Sequence, residues 1–256
     1  MTAQDPKSDD LTLIDALILL HAGTERQGPG DEAFSQALLD RLPALRGTGG
    51  IADLGCGTGT ASLLLARHFT KPVLCVDASR AFLDALEAKA DEAGLGDLVT
   101  PLCADMGSLD ARTHRFALLW SEGAAYNLTF EGAMKAWRPL MVDNGLAVVS
   151  ELSWFGPERP AEAEAYWSAA YPQMADEETN LAHAERNGFR RIFTERLPDA
   201  AWWQNYYGPL AERLDAHQKS SSPMMQTAIA ETRGEIDLFR AHSAHYGYTF
   251  YVLEAV

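Results

Sequence analysis

The residues with the clearest capacity for chemistry stand in one run, Asp53-Leu54-Gly55-Cys56-Gly57-Thr58-Gly59. Glycines at alternate positions strip a turn of side chains, so a ligand can approach the backbone. A helix opening directly after them offers N–H groups that the helix itself cannot satisfy. The spacing argues against one ligand class and excludes another. A dinucleotide fingerprint wants its third glycine at position 60, which is Thr60, and a P-loop wants Lys followed by Ser or Thr, which is missing. Asp53 would be unwelcome beside a pyrophosphate, whereas an acid there suits a ligand carrying an ammonium group. Asp77, 18 residues after Gly59, can accept both hydroxyls of a ribose. Ala104-Asp105-Met106 adds a carboxylate for an exocyclic amine and a thioether to pack on an aromatic ring. Each acid has a plainer use: Asp77 could cap the next helix, and Asp105 could close a turn.

A second group suits an acceptor substrate. Glu122, in Trp120-Ser121-Glu122-Gly123, is the leading general base, with Tyr126 and Asn127 following in the same loop. Glu151 is a further acid that would need a partner if buried. Trp202, Trp203, Tyr206 and Tyr207 stand together, paired at i, i+4, and could wall a cationic or planar substrate or simply pack a helix onto a core. His21 could reach a site if its helix forms a lid. His242 and His245 lie at i, i+3, but no Cys or acid spacing supports a metal, and none is expected. Cys56, Cys75 and Cys103 are odd in number and lack C-x-x-C spacing, so they read as small core or loop residues in a reducing cytoplasm.

These residues need elements to hold them. Residues 10–21 are predicted as an amphipathic helix. Asp31 caps a second helix carrying Phe34, Leu38, Leu42 and Leu45. Strands follow at 51–54, 72–77, 99–103, 116–120 and 146–152, the last after a DNG turn at 143–145, with helices between them from 62, from Ser79 to Gly94, and over 130–141. That alternation implies a doubly wound parallel sheet with its site at the carboxyl ends of the strands. Pro101 cannot donate to a ladder, so its strand belongs at an edge. Beyond 155 come two helices and a strand, then loop and short helix over 198–222, a long amphipathic stripe over 224–245, and a closing strand, GYTFYVLEAV. The expectation is one domain of 1–256: a helical cap (1–45), a core (46–155), insertions at 155–190 and 198–245 that cover the substrate, and the last strand.

Composition bounds the partners. The chain has 256 residues and a formal net charge of −15, which argues against nucleic acid and anionic membranes, both of which demand a basic patch. The N-terminus has acids at Asp5, Asp9 and Asp10 instead of a basic signal region, and apolar runs such as 16–20 are far too short to span a bilayer. A cytoplasmic protein acting on a small molecule is expected, as a monomer or a homodimer through the helix at 224–245.

The pieces IADLGCGTG, VLCVDAS, CADM, FALLWSEG and the strand after DNG, in this order over roughly 45–155, resemble the class I S-adenosylmethionine-dependent methyltransferases. The resemblance implies a Rossmann-like α/β sheet of seven strands, order 3-2-1-4-5-7-6, with the last strand antiparallel. It implies S-adenosylmethionine as cofactor: Gly55, Gly57 and Gly59 near the methionine part with Asp53, Asp77 and Ala78 at the ribose, and Ala104, Asp105 and Met106 at the adenine. Gln27 or Arg26, on a stretch that in this family often folds over the cofactor, would contact the methionine carboxylate. The expected activity is methyl transfer to a small molecule, with an amine nitrogen favoured. A nicotinamide-dependent oxidoreductase and a non-catalytic cofactor-binding protein stand as alternatives.

Overall fold

A computed structural model of the protein describes residues 11–22, 24 and 26–256; the acids at positions 5, 9 and 10 and part of the stretch before Gly30 lie outside them. The apolar runs form strands β1 (Gly50–Leu54), β2 (Val73–Asp77), β3 (Val99–Cys103), β4 (Phe116–Ser121), β5 (Met141–Trp154), β6 (Ala175–Asp176), β7 (Phe189–Arg196) and β8 (Tyr246–Ala255). Their order is β3-β2-β1-β4-β5-β8-β7, with the two-residue β6 paired to the end of β5. This is the expected order with one short strand added. The first five are parallel neighbours, while β8 runs antiparallel between β5 and β7. Pro101 does sit on the edge strand β3, in register with Cys75 of β2, where a residue without an N–H is tolerated.

The chain divides into two compact units. The sheet unit comprises Gly30–Leu197 and Ala244–Val256; a helical unit comprises the chain up to Pro29 and Pro198–Ser243. In the sheet unit, α2 (Glu32–Leu39) begins at Asp31, whose side chain accepts from the Phe34 amide. It ends earlier than the Leu42 and Leu45 spacing suggests, because Pro43 bars the helical conformation to the residue before it. Helices α3 (Thr60–Phe69) and α4 (Arg80–Glu92) follow β1 and β2, and Ser79 caps α4 as expected. Helix α5 (Phe130–Trp137) buries Phe130, Ala133, Met134 and Trp137 against one face of the sheet, each large side chain contributing roughly 1.5–3 kcal/mol. Trp137 also donates its indole N–H to the Met106 carbonyl at 3.1 Å, so this core anchor fixes the loop after β3. Helices α6 (Ala161–Ala170) and α7 (Glu177–Arg186) complete the unit.

Residues 143–145 are not a turn before β5 but an irregularity inside it. Phe116 pairs with Met141 and Leu118 with Leu146, so the extra residues bulge, with Asn144 at φ +59°. Asn tolerates that left-handed backbone better than most residues.

In the helical unit, α1 (Leu13–His21) opens with a capping box of Thr12 and Asp15. Arg213 donates to the Leu19 and Leu20 carbonyls at 2.7 and 2.6 Å, closing the other end. Residues 198–222, expected as loop and short helix, are more helical than that: α8 (Asp199–Trp202), a widened π turn over 203–207, and α9 (Gly208–His217), followed by α10 (Pro223–His242). Pro209 has no N–H to give, so the i→i−4 ladder cannot run across it and the helix widens by one residue. Gly208 permits this: a Cβ there would lie 2.7 Å from the Trp203 carbonyl oxygen.

Candidate functional site

The glycine turn is held by the neighbouring strand. The amides of Gly55 and Cys56 both donate to the Val76 carbonyl at the end of β2, at 2.8 and 3.0 Å. Gly55 lies at φ +73° and Gly59 at φ +89°, conformations that side chains resist. Space demands glycine too: a Cβ on Gly55 would sit 2.2 Å from the Ala124 Cβ and 3.4 Å from the Met106 sulfur. Three loops therefore meet at Gly55: its own turn, the one after β3 and the one after β4.

Asp77 ties the turn to β2. Its Oδ2 accepts from the Gly57 amide at 2.9 Å and its Oδ1 from the Ser79 amide at 2.8 Å. Ala104 donates its amide to the Asp77 carbonyl at 3.1 Å, and the Cys103 thiol donates to the Ala78 carbonyl. A carboxylate offers about four lone-pair sites, so two remain for ligand hydroxyls. Asp105 closes its own turn, accepting from the Gly107 amide and the Ser108 hydroxyl, both at 2.8 Å, and these bonds hold its carboxyl below the usual range. Asp53 is fully enclosed, and Ser62 of α3 donates to it at 2.6 Å. Burial pushes its carboxyl up to about 7 against that hydrogen bond, helped by the charges of Glu122 and Asp77.

Past β4, Glu122 is pinned. Its Oε1 accepts from the Ser35 hydroxyl at 2.7 Å and from the Trp120 indole N–H at 2.9 Å. Gly123 donates its amide to the Ser150 hydroxyl at 2.8 Å, tying this loop to β5. The Tyr126 ring is half exposed and meets the Tyr171 ring edge-on at 6.2 Å. Sequence reasoning missed Ser35, Tyr171 and Tyr248, whose hydroxyl would lie 3.3 Å from a Cβ on Gly123. Strand alternation could have flagged Tyr248; nothing local marks the other two.

The remaining candidates belong to the helical unit. Trp202 and Tyr207 are buried there, Trp202 stacked on Phe239 at 4.3 Å and Tyr207 donating to Glu235 at 2.8 Å. Trp203 and Tyr206 are half-buried, with the Arg240 guanidinium over the Trp203 ring. His21 stacks on Tyr206 and meets its hydroxyl at 3.2 Å through Nε2, while Nδ1 faces the Leu17 carbonyl at 2.8 Å. Gln27 donates to the Thr24 carbonyl at 3.3 Å. All three cysteines are thiols, and burial raises Cys56 and takes Cys75 to about 12, so neither is a nucleophile. Among the described residues, no group of three or more His, Cys, Asp or Glu is placed to hold a metal, and no helix is long and apolar enough to cross a membrane.

Residues 51–145 match the family of methyltransferase domains. Trans-aconitate 2-methyltransferase of Escherichia coli O1:K1 / APEC is 23% identical over 222 residues, covering 78% of this chain and 73% of that protein. The chain therefore carries a methyltransferase domain over residues 51–145. The methyltransferase shares its fold with the S-adenosylmethionine-dependent methyltransferase of Geobacter sulfurreducens, solved with S-adenosyl-L-homocysteine, at a TM-score of 0.75 and 17% identity over 94% of this chain and 98% of that one. The enzyme of that description from Thiobacillus denitrificans gives 0.75 and 18% over 97% and 100%.

These two solved structures, which share this fold, hold S-adenosyl-L-homocysteine, the product form of S-adenosylmethionine. The residues present fit it: a turn that a single Cβ at Gly55 would block, a carboxylate at Asp77 with capacity left for hydroxyls, and the Met106 thioether beside the turn.

Proposed function

We propose that this methyltransferase transfers its methyl group to the nitrogen of a small-molecule amine. The observation that carries the site assignment is the meeting of three loops at Gly55, with Asp77 bonded to the Gly57 amide. In this reading Gly55, Gly57 and Gly59 admit the methionine part, and Asp53 faces its ammonium end. Asp77 and Ala78 take the ribose, and Ala104, Asp105 and Met106 the adenine. Gln27 is assigned to the methionine carboxylate, and Trp202, Trp203, Tyr206, Tyr207 and His21 to the acceptor, on their chemistry alone. S-adenosylmethionine supplies a methyl group on a sulfonium sulfur, which leaves as a neutral thioether.

The chain's own work is to orient and to manage one proton. Positioning can supply roughly 7–11 kcal/mol of such a barrier. An amine acceptor must shed a proton, and Glu122 with Tyr126 stands at the mouth past β4 to receive it. A net charge of −15 favours a cationic acceptor reaching that mouth.

The test is incubation with methyl-labelled cofactor and a metabolite extract, read by mass spectrometry. The expected product carries label on nitrogen. Label on oxygen, sulfur or carbon overturns the amine, and no labelled product overturns small-molecule transfer. Glu122→Gln should lower turnover by about 10²–10⁴-fold while S-adenosylhomocysteine affinity holds; unchanged turnover removes Glu122 from the chemistry.

A further inference from the structure

Glu151 is the one acid at the strand ends whose hydrogen bonding is visibly incomplete. It lies on β5, two positions beyond Val149, the partner of Ser121 at the end of β4. The side chain is 2% exposed. Its Oε1 accepts from the Leu152 amide at 3.1 Å, whereas its Oε2, fully buried, has no well-formed hydrogen bond among the described residues. The Tyr171 hydroxyl faces this carboxyl and favours its anion as a hydrogen-bond donor does, yet the pair falls short of full hydrogen-bond geometry, so both atoms stay buried and incompletely bonded. One helical turn earlier, the Trp167 indole N–H is in the same state.

Among the described residues, no cation offsets this acid. The titratable groups that face it are Tyr171 and Tyr251, both phenols raised by burial. Opposite Glu151 on β8, Thr249 donates to Glu177, and Glu177 already holds Arg196 in an ion pair at 2.6 Å. A carboxyl enclosed without a counter-charge is disfavoured as an anion, and burial takes Glu151 up to about 8. Native proteins rarely leave buried polar atoms unpaired, and those that persist call for a ligand or a function.

The place is connected to the cofactor turn. Ala124 touches Gly55, Gly123 bonds to Ser150, and Tyr126 of the same loop packs edge-on against Tyr171. A carboxyl, a hydroxyl and aromatic rings with no cation among them are the elements that recognise an organic ammonium.

We propose that Glu151 and Tyr171 bind the ammonium group of the methyl acceptor, Glu151 Oε2 and the Tyr171 oxygen accepting its N–H hydrogens. This rests on the amine reading above. Occupation by a cation converts the buried neutral carboxyl into a paired carboxylate, so binding near pH 7 releases the Glu151 proton to solvent.

Sinefungin tests this without knowledge of the acceptor, because it carries a primary amine where the cofactor carries its methylsulfonium. Affinity and proton release are measured by calorimetry in two buffers of different ionisation enthalpy, with S-adenosylhomocysteine as the control. The intact protein should prefer sinefungin by about tenfold or more, the scale of one charge-assisted pair, and should release an additional proton relative to the control. Glu151→Gln should abolish both differences while keeping S-adenosylhomocysteine affinity, and Tyr171→Phe should cut the preference by roughly threefold or more, the loss of one acceptor for a charged donor. A preference that survives Glu151→Gln, or one absent from the unaltered protein, overturns the proposal. The amine reading fails by a different sign, label on an atom other than nitrogen in the metabolite assay.

Discussion

Asp77 and Glu151 are acids at the carboxyl ends of strands in one sheet, and the fold treats them oppositely. Asp77 receives two backbone amides, from Gly57 and Ser79. Glu151 receives one, on a single oxygen, and its other oxygen is enclosed with no well-formed hydrogen bond among the described residues, Tyr171 alone facing it. The first is a carboxyl positioned by its own chain before any ligand arrives. The second is neutral in the isolated protein and complete only with a partner. On the reading proposed above, the cofactor end is thus rigid by construction, whereas the acceptor end carries unmet polar groups whose satisfaction depends on what binds.

The largest expected effect lies at the prepared acid. Asp77→Ala removes two charge-assisted bonds that hold the glycine turn as well as the ribose acceptor, each worth roughly 1.5–3 kcal/mol. The S-adenosylhomocysteine dissociation constant should rise by about 10³-fold in calorimetry. A change under tenfold would mean that the turn is held by the Val76 carbonyl alone and that Asp77 is only a helix cap.

The unprepared acid gives the next effect, and its sign is opposite. Glu151 in the fold keeps its proton until about pH 8, while the unfolded chain loses it near 4.5. Between those values the folded state binds more protons, so stability is fully present below the lower pH and is lost as pH rises through the upper one. Glu151→Gln has no such loss. Denaturant unfolding at pH 9 should find the variant more stable than the parent by about 1–3 kcal/mol, the difference fading by pH 5. A variant less stable at pH 9 would show that Glu151 has a partner in solution, which would erase the contrast with Asp77.

That contrast also marks what the sequence could tell. Apolar runs punctuated by glycine and capped by Asp31 and Ser79 are local signals, so β1 to β5, their order and the glycine turn were legible. Asp77 stood at a fixed distance from Gly59. Tyr171 and Glu151 are neighbours only through the packing of α6 beside the sheet, and Ser35 reaches Glu122 across 87 residues; no spacing carries either. The reading of 198–222 as loop and short helix understated the helix for a related reason. Its aromatics, Pro209 and serines weaken helix propensity, but burial of Trp202 and Tyr207 around Phe239 overrides it. The early end of α2 was readable from Pro43, yet the apolar period at Leu42 and Leu45 outweighed it.

The smallest effect belongs to Asp105, an exposed acid whose carboxylate is engaged by Gly107 and Ser108 of its own turn. It is prepared in the manner of Asp77 but stands in water, which competes for every bond it makes. Asp105→Asn should raise the S-adenosylhomocysteine dissociation constant only about threefold to tenfold. That loss alone does not separate an adenine contact from a loosened turn. S-inosylhomocysteine, which replaces the exocyclic amine by oxygen, does. An acid at this position repels that oxygen and accepts from the amine, so the unaltered protein should favour the adenosyl compound, and Asp105→Asn, able to donate as well as accept, should remove most of the preference. If the preference persists in the variant, adenine is read elsewhere and Asp105 serves its turn alone, which would leave Asp77 as the prepared acid that the cofactor requires.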